Sequence, residues 1–166
     1  MKRIALDTNI VNRIADAPDL IGEIRDSAAR TRFIIIGNPM VQYELEQTRD
    51  SARREQLIAV WNGLPKTDVL TRGGYYGVGL KYGQSIYGDG SDTGLPLDQA
   101  RTGGRGGARD AIIATTAAGE AEVLVTDDDE LTIRVRSSSA PCEVWTFMQF
   151  VSFLRDPQTS EGSINI

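Results

Sequence analysis

The chain has 166 residues, a formal net charge of −5 and 40% hydrophobic residues, which is ample for one buried core and ordinary for a globular protein in water. It contains no histidine and a single cysteine, Cys142, which excludes Ser-His-Asp triads, His metal ligands, His acid–base catalysis and an internal disulfide. No apolar run approaches the ~20 residues of a membrane span, and no signal-peptide pattern precedes Arg3, so the expectation is a cytoplasmic protein with no membrane partner.

Lys2 to Leu6 reads as a short buried strand. Thr8 or Asn9 then caps a helix carrying Ile10, Val11 and Ile14 at helical spacing. Pro18 starts a second helix, and Phe33-Ile34-Ile35-Ile36 is the continuous apolar run of a strand buried on both faces of a parallel sheet. Pro39 fits the first turn of a helix containing Glu44, and Ser51 to Leu64 forms another with Leu57, Ile58, Trp61 and Leu64 on its core face. Asp68 to Leu70 suggests a short strand. Between Gly73 and Gly107 lie most of the glycines; at about 1 kcal/mol each relative to Ala, they predict a marginal helix through Tyr75, Val78, Tyr82 and Ile86, then a mobile loop from Gly88 to Gly107. Asp110 to Ala118 is a helix of small residues closed by Gly119, with Asp110 in its first turn. Glu122 to Thr126 is a buried strand, Glu130 to Val135 a short helix, Glu143 to Phe147 a last strand and Met148 to Leu154 a last helix. Trp61 and Trp145 read as core, and Cys142 as a buried thiol. Strands alternating with helices imply an α/β fold with a mainly parallel sheet and right-handed crossovers. One domain over 1–155 follows, with a glycine-rich insertion at about 73–107 and a polar tail at 156–166.

Four acids border these apolar segments: Asp7, Glu44, Asp110 and Asp128. Ligands in open α/β sheets bind beyond the carboxyl ends of the strands, where Asp7 and Asp128 belong. Acids gathered there repel when ionised, and a hard divalent cation relieves that with oxygen ligands alone. Each acid also has a plain structural reading. Asp7 could cap a helix, Glu44 could be a surface acid, Asp110 could favour a helix dipole, and Asp127-Asp128-Asp129 could be a solvated turn. For Arg101, Arg105 and Arg109, solvated loop charge and phosphate contact are equally open.

Asp7-Thr8-Asn9 after the opening strand, Glu44-Leu45, Arg109-Asp110-Ala111-Ile112-Ile113-Ala114-Thr115 and Val125-Thr126-Asp127-Asp128-Asp129-Glu130-Leu131 together resemble the PIN-domain nucleases, closest to the VapC-like toxins of type II toxin–antitoxin systems. The resemblance spans about residues 2–70 and 108–154. It implies a three-layer α/β/α sandwich, one or two Mg²⁺ or Mn²⁺ ions, and endoribonuclease action leaving a 5′-phosphate and a 3′-hydroxyl. By the same likeness Asp7, Glu44, Asp110 and Asp128 are the catalytic and metal-binding acids. Asp127 and Asp129 are neighbours able to replace Asp128 or to bind through water. Thr8, Asn9 and Thr126 support the site. An RNA substrate, an antitoxin protein and a homodimer are the implied partners. The glycine-rich stretch departs from the family, which usually carries a helical pair there.

A non-catalytic PIN-like module binding RNA or protein is the alternative. A phosphoacceptor receiver domain ranks below both, because Asp7 stands alone at the first strand and no Lys follows Lys81.

Overall fold

In the computed structural model residues 1–30, 32–72, 80, 83–86, 88, 91–100 and 104–156 are described. Five strands form one all-parallel sheet in the order β3-β2-β1-β6-β7, where β1 is Lys2–Leu6, β2 Phe33–Gly37, β3 Lys66–Asp68, β6 Val123–Val125 and β7 Glu143–Trp145. A separate parallel pair joins β4 (Thr71–Arg72) to β5 (Ser85–Ile86). The helices are α1 (Thr8–Ala15), α2 (Pro18–Ala29), α3 (Pro39–Glu46), α4 (Ser51–Gly63), α5 (Leu97–Ala100), α6 (Gly104–Glu120), α7 (Asp129–Ser137) and α8 (Phe147–Arg155).

The middle of the sheet is the most apolar part of the chain. Ile4, Ile35, Val123, Leu124 and Val125 are fully buried, so helices cover both faces of these strands. Helix α2 packs with α8, while α6 packs with α3, α5 and α7, the layering of an α/β/α sandwich. One apolar cluster runs from Ile4 to Leu154. Phe33 meets Phe150 edge-on at 6.0 Å between ring centres. Arg32 closes the end of α8 by donating to the carbonyls of Phe153 and Leu154. Among the described residues no helix is long and apolar enough to cross a membrane.

Several element boundaries differ from the sequence reading. The cap of α1 is Asp7 rather than Thr8 or Asn9, because its extended backbone turns the carboxylate onto the Thr8 amide. The third strand of the sheet is Lys66–Asp68, ahead of the expected 68–70. The last strand stops at Trp145, because Thr146 caps α8 in a reciprocal capping box with Gln149. Trp61 is buried as expected, whereas Trp145 is only partly buried and lies tilted against Phe153.

The largest correction concerns the glycine-rich stretch. Helix α6 begins at Gly104 and continues through Gly119, so Asp110 lies in its second turn rather than its first. Gly119 does not end the helix: a Cβ there would sit 3.0 Å from Thr93 and 3.3 Å from Arg72, so glycine admits close packing. Among the described residues between 88 and 107, a turn of 3₁₀ helix (Ser91–Thr93), α5 and the start of α6 stand where a loop is expected; 89–90 and 101–103 lie outside the described residues. Leu95 and Leu97 are buried there, and the Leu95 carbonyl accepts from Thr115. Burial and these hydrogen bonds outweigh the glycine propensity cost. Ile86, expected in a helix, pairs in β5. Tyr75, Tyr76, Tyr82, Tyr87, Arg101 and the tail 157–166 lie outside the described residues.

Candidate active site at the strand ends

Parallel register sets the geometry. Leu6 pairs with Val125, and the Asp7 amide donates to the Val125 carbonyl at 3.0 Å. Asp7 and Thr126 thus leave adjacent central strands side by side at the carboxyl edge of the sheet. Asp7 is 6% exposed, and its carboxylate is held on both oxygens. Oδ1 accepts from the Thr8 amide at 2.7 Å. Oδ2 accepts from the Thr126 hydroxyl at 2.7 Å and from the Asn9 amide group at 2.9 Å. Burial still pushes the Asp7 carboxyl above the usual range, and the nearby Asp128 and Asp127 charges add to that, against the lowering from Thr126 and Thr8.

Glu44 arrives from α3. Asn38, buried, caps this helix by accepting from the Met40 amide at 2.9 Å, and Pro39 fills the first position. That fixes the helix so that Glu44 meets the start of α1, where the Thr8 hydroxyl donates to Oε2 at 2.5 Å. Burial raises Glu44, and Asp7 raises it further, while Thr8 and Arg109 oppose the rise.

Asp110 comes from α6, which packs on α3. Burial is the main cause that lifts it to about 7; Glu44, Asp7 and Asp128 raise it too, and Arg109 lowers it. The charges of the other three acids thus all reach Asp110. Among the described residues Arg109 is the cation that acts on Glu44 and Asp110. Its guanidinium lies over the Tyr43 ring at 5.1 Å, and its Nε is buried without a hydrogen-bond partner.

The three consecutive acids after β6 separate by role. Asp128 caps α7, accepting from the Leu131 amide at 2.8 Å, and its own amide donates to Thr126 at 3.1 Å. Thr126 thereby links Asp7 to Asp128. Asp127 is turned elsewhere: Oδ1 accepts from the Phe147 amide at 3.0 Å and Oδ2 pairs with Arg13 Nε at 3.0 Å. That pair is an ion pair rather than a hydrogen bond, since Oδ2 has no partner of hydrogen-bond geometry. Asp127, expected among the metal-binding acids, thus ties α1, β6 and α8 together. Asp129 is exposed in the first turn of α7. Arg105 falls in the first turn of α6 with its side chain outside the described residues.

No family model matches this chain. No curated protein matches it either. Geometry and sequence motifs alone bear on what the site does. Among the described residues no three Asp, Glu or Cys side chains are set as a ready metal cage; mutually repelling carboxylates have no reason to close up without a cation. The donor set nevertheless suits a hard divalent ion, because it is made of carboxylate oxygens alone. Asn9 Oδ1 is a further buried acceptor without a hydrogen-bond partner.

Sequence reasoning missed Tyr43, Arg13 and Phe147. Arg13 lies four residues after Asn9, on the same face of α1, and that spacing was the available signal. Nothing local marks Phe147, because its amide meets Asp127 across twenty residues of chain.

Proposed function

We propose that this chain is a Mg²⁺- or Mn²⁺-dependent endoribonuclease that hydrolyses RNA phosphodiester bonds, and that it acts as the toxin of a toxin–antitoxin pair. The observation that carries the hydrolytic reading is the gathering of Asp7, Glu44 and Asp128 around Thr8 and Thr126 at the carboxyl edge of a parallel sheet, with Asp110 on α6 within reach of their charge. RNA and the antitoxin come from the motif likeness to the PIN-domain nucleases.

Asp7, Glu44, Asp110 and Asp128 are the residues that would hold one or two ions. A bound ion would supply an activated water and neutralise charge on the phosphate. The chain's own side chains do the rest. Asp7 is the fixed anchor, oriented by Thr8, Asn9 and Thr126. Thr8 also orients Glu44, so one residue aligns two acids. Asp110 exchanges its proton near neutral pH, which lets it release that proton when positive charge arrives. Arg109, beside Glu44 and Asp110, offers a guanidinium to the phosphate.

The test is cleavage of single-stranded RNA with and without Mn²⁺ by the wild type and by Asp7→Asn. The expected result is metal-dependent cleavage that falls at least 100-fold in a folded variant. Equal cleavage by the variant would overturn the assignment. Expression of the intact protein should halt growth; normal growth on strong expression would contradict the toxin role.

A further inference from the structure

Beside the acids, on the same edge of the sheet, lies a second built feature that the hydrolytic reading does not use. Arg13 points from α1 across the end of β6. Its Nε pairs with Asp127 at 3.0 Å, and its guanidinium lies over the Phe147 ring, 5.2 Å from the centroid. Phe147 is in turn pinned through its amide by Asp127 Oδ1 at 3.0 Å. One carboxylate thus fixes both members of a cation–aromatic pair. The Arg13 side chain remains 52% exposed, and next to it in sequence from Phe147 the large apolar Met148 is 64% exposed. The pair adjoins the acids, since Asp127 sits between Thr126 and Asp128 and its charge reaches Asp7.

We infer that Arg13 and Phe147 form a base-stacking platform for single-stranded RNA, receiving the nucleotide next to the phosphate that is cut. This rests on the nuclease reading above. The Arg13 guanidinium lies over the Phe147 ring while half of the side chain stays open to solvent, and nucleic-acid bases stack on arginine planes and aromatic rings. The charge of Arg13 is already met by Asp127, so stacking rather than phosphate contact is its fitting role. A platform of this kind also suits a chain of net charge −5, which gains little from general attraction to a polyanion.

The experiment is fluorescence anisotropy of a labelled single-stranded RNA over a range of salt, in Ca²⁺, with wild type, Arg13→Lys, Arg13→Gln and Phe147→Leu. Thermal melts of the same samples establish folding. Lys retains the charge and the Asp127 pair but lacks the planar face. The platform predicts that Arg13→Lys weakens binding about tenfold or more without changing the salt slope, with Phe147→Leu weakening it in the same way. Unchanged affinity in Arg13→Lys and Phe147→Leu, with wild type binding, would overturn the platform and leave the nuclease reading standing. A slope reduced by about 0.7 in Arg13→Gln, with Arg13→Lys like wild type, would make Arg13 a phosphate contact and equally overturn it. Absence of RNA binding by the wild type would overturn both.

Discussion

Thr126 is a small residue with several partners: its hydroxyl donates to Asp7, accepts from the Asp128 amide and is fully buried. Thr126→Val keeps the shape and removes those bonds. A buried acid left with one fewer donor costs about 1–3 kcal/mol, so the variant should melt lower and lose activity by tenfold or more. A thermal melt together with an RNA-cleavage assay checks this; a melt and a rate like the wild type's would refute the link. Asp110 carries a pH prediction. Its folded pKa, about 7, lies above the ordinary aspartate value of 3.8, so the native state binds its proton more tightly than the unfolded chain. Its contribution is therefore full below about pH 4 and is lost as pH rises through 7. Metal-free protein should lose stability over that window. Asp110→Asn should flatten the loss and melt roughly 2–4 °C higher at pH 8, about 1 kcal/mol after allowing for solvent screening. Denaturation scans between pH 4 and 8 measure it, and an unchanged profile in Asp110→Asn would refute the assignment. At this scale the four acids were legible because each borders an apolar run. The Asp127 contacts were not, because Arg13 and Phe147 reach it from distant parts of the chain.

Among the elements, α3 shows how a cap serves a site nearly two turns away. Asn38 is 3% exposed and accepts from the Met40 amide, which sets the entry of the helix that carries Glu44. Asn38→Ala should cost about 1 kcal/mol, and by loosening α3 it should also lower cleavage of RNA. Activity retained in full despite the lower melting point would separate the cap from the site. The strands were readable from sequence, since Phe33 to Ile36 and Val123 to Val125 are unbroken apolar runs in a sheet covered on both faces. Helix α6 was misjudged at both ends. Local propensity counts glycines as breakers, but Gly119 is held inside the helix by packing against Thr93 and Arg72. Pairing of β4 with β5 left no signature in strands of two residues each.

Over the whole molecule, strand order sets Asp7 beside Asp128, since β1 and β6 are adjacent in the sheet but more than a hundred residues apart in sequence, while α3 and α6 carry Glu44 and Asp110 to the same edge. Such an edge concentrates like charge, and the fold sustains it with hydrogen bonds to Asp7 and Glu44 and with the Arg109 cation. A ligand that binds only the folded chain raises its stability by about 2.7 kcal/mol at one hundred times its dissociation constant. Millimolar Mn²⁺ should therefore raise the melting temperature, and a chelator should reverse it. The most direct measurement is calorimetric titration of Mn²⁺ into wild type and Asp110→Asn, with RNA cleavage read on the same samples. Binding of one or two ions by the wild type, with both binding and cleavage lost in the folded variant, is the predicted result. No binding at millimolar metal, or cleavage by Asp110→Asn at the wild-type rate, would contradict it.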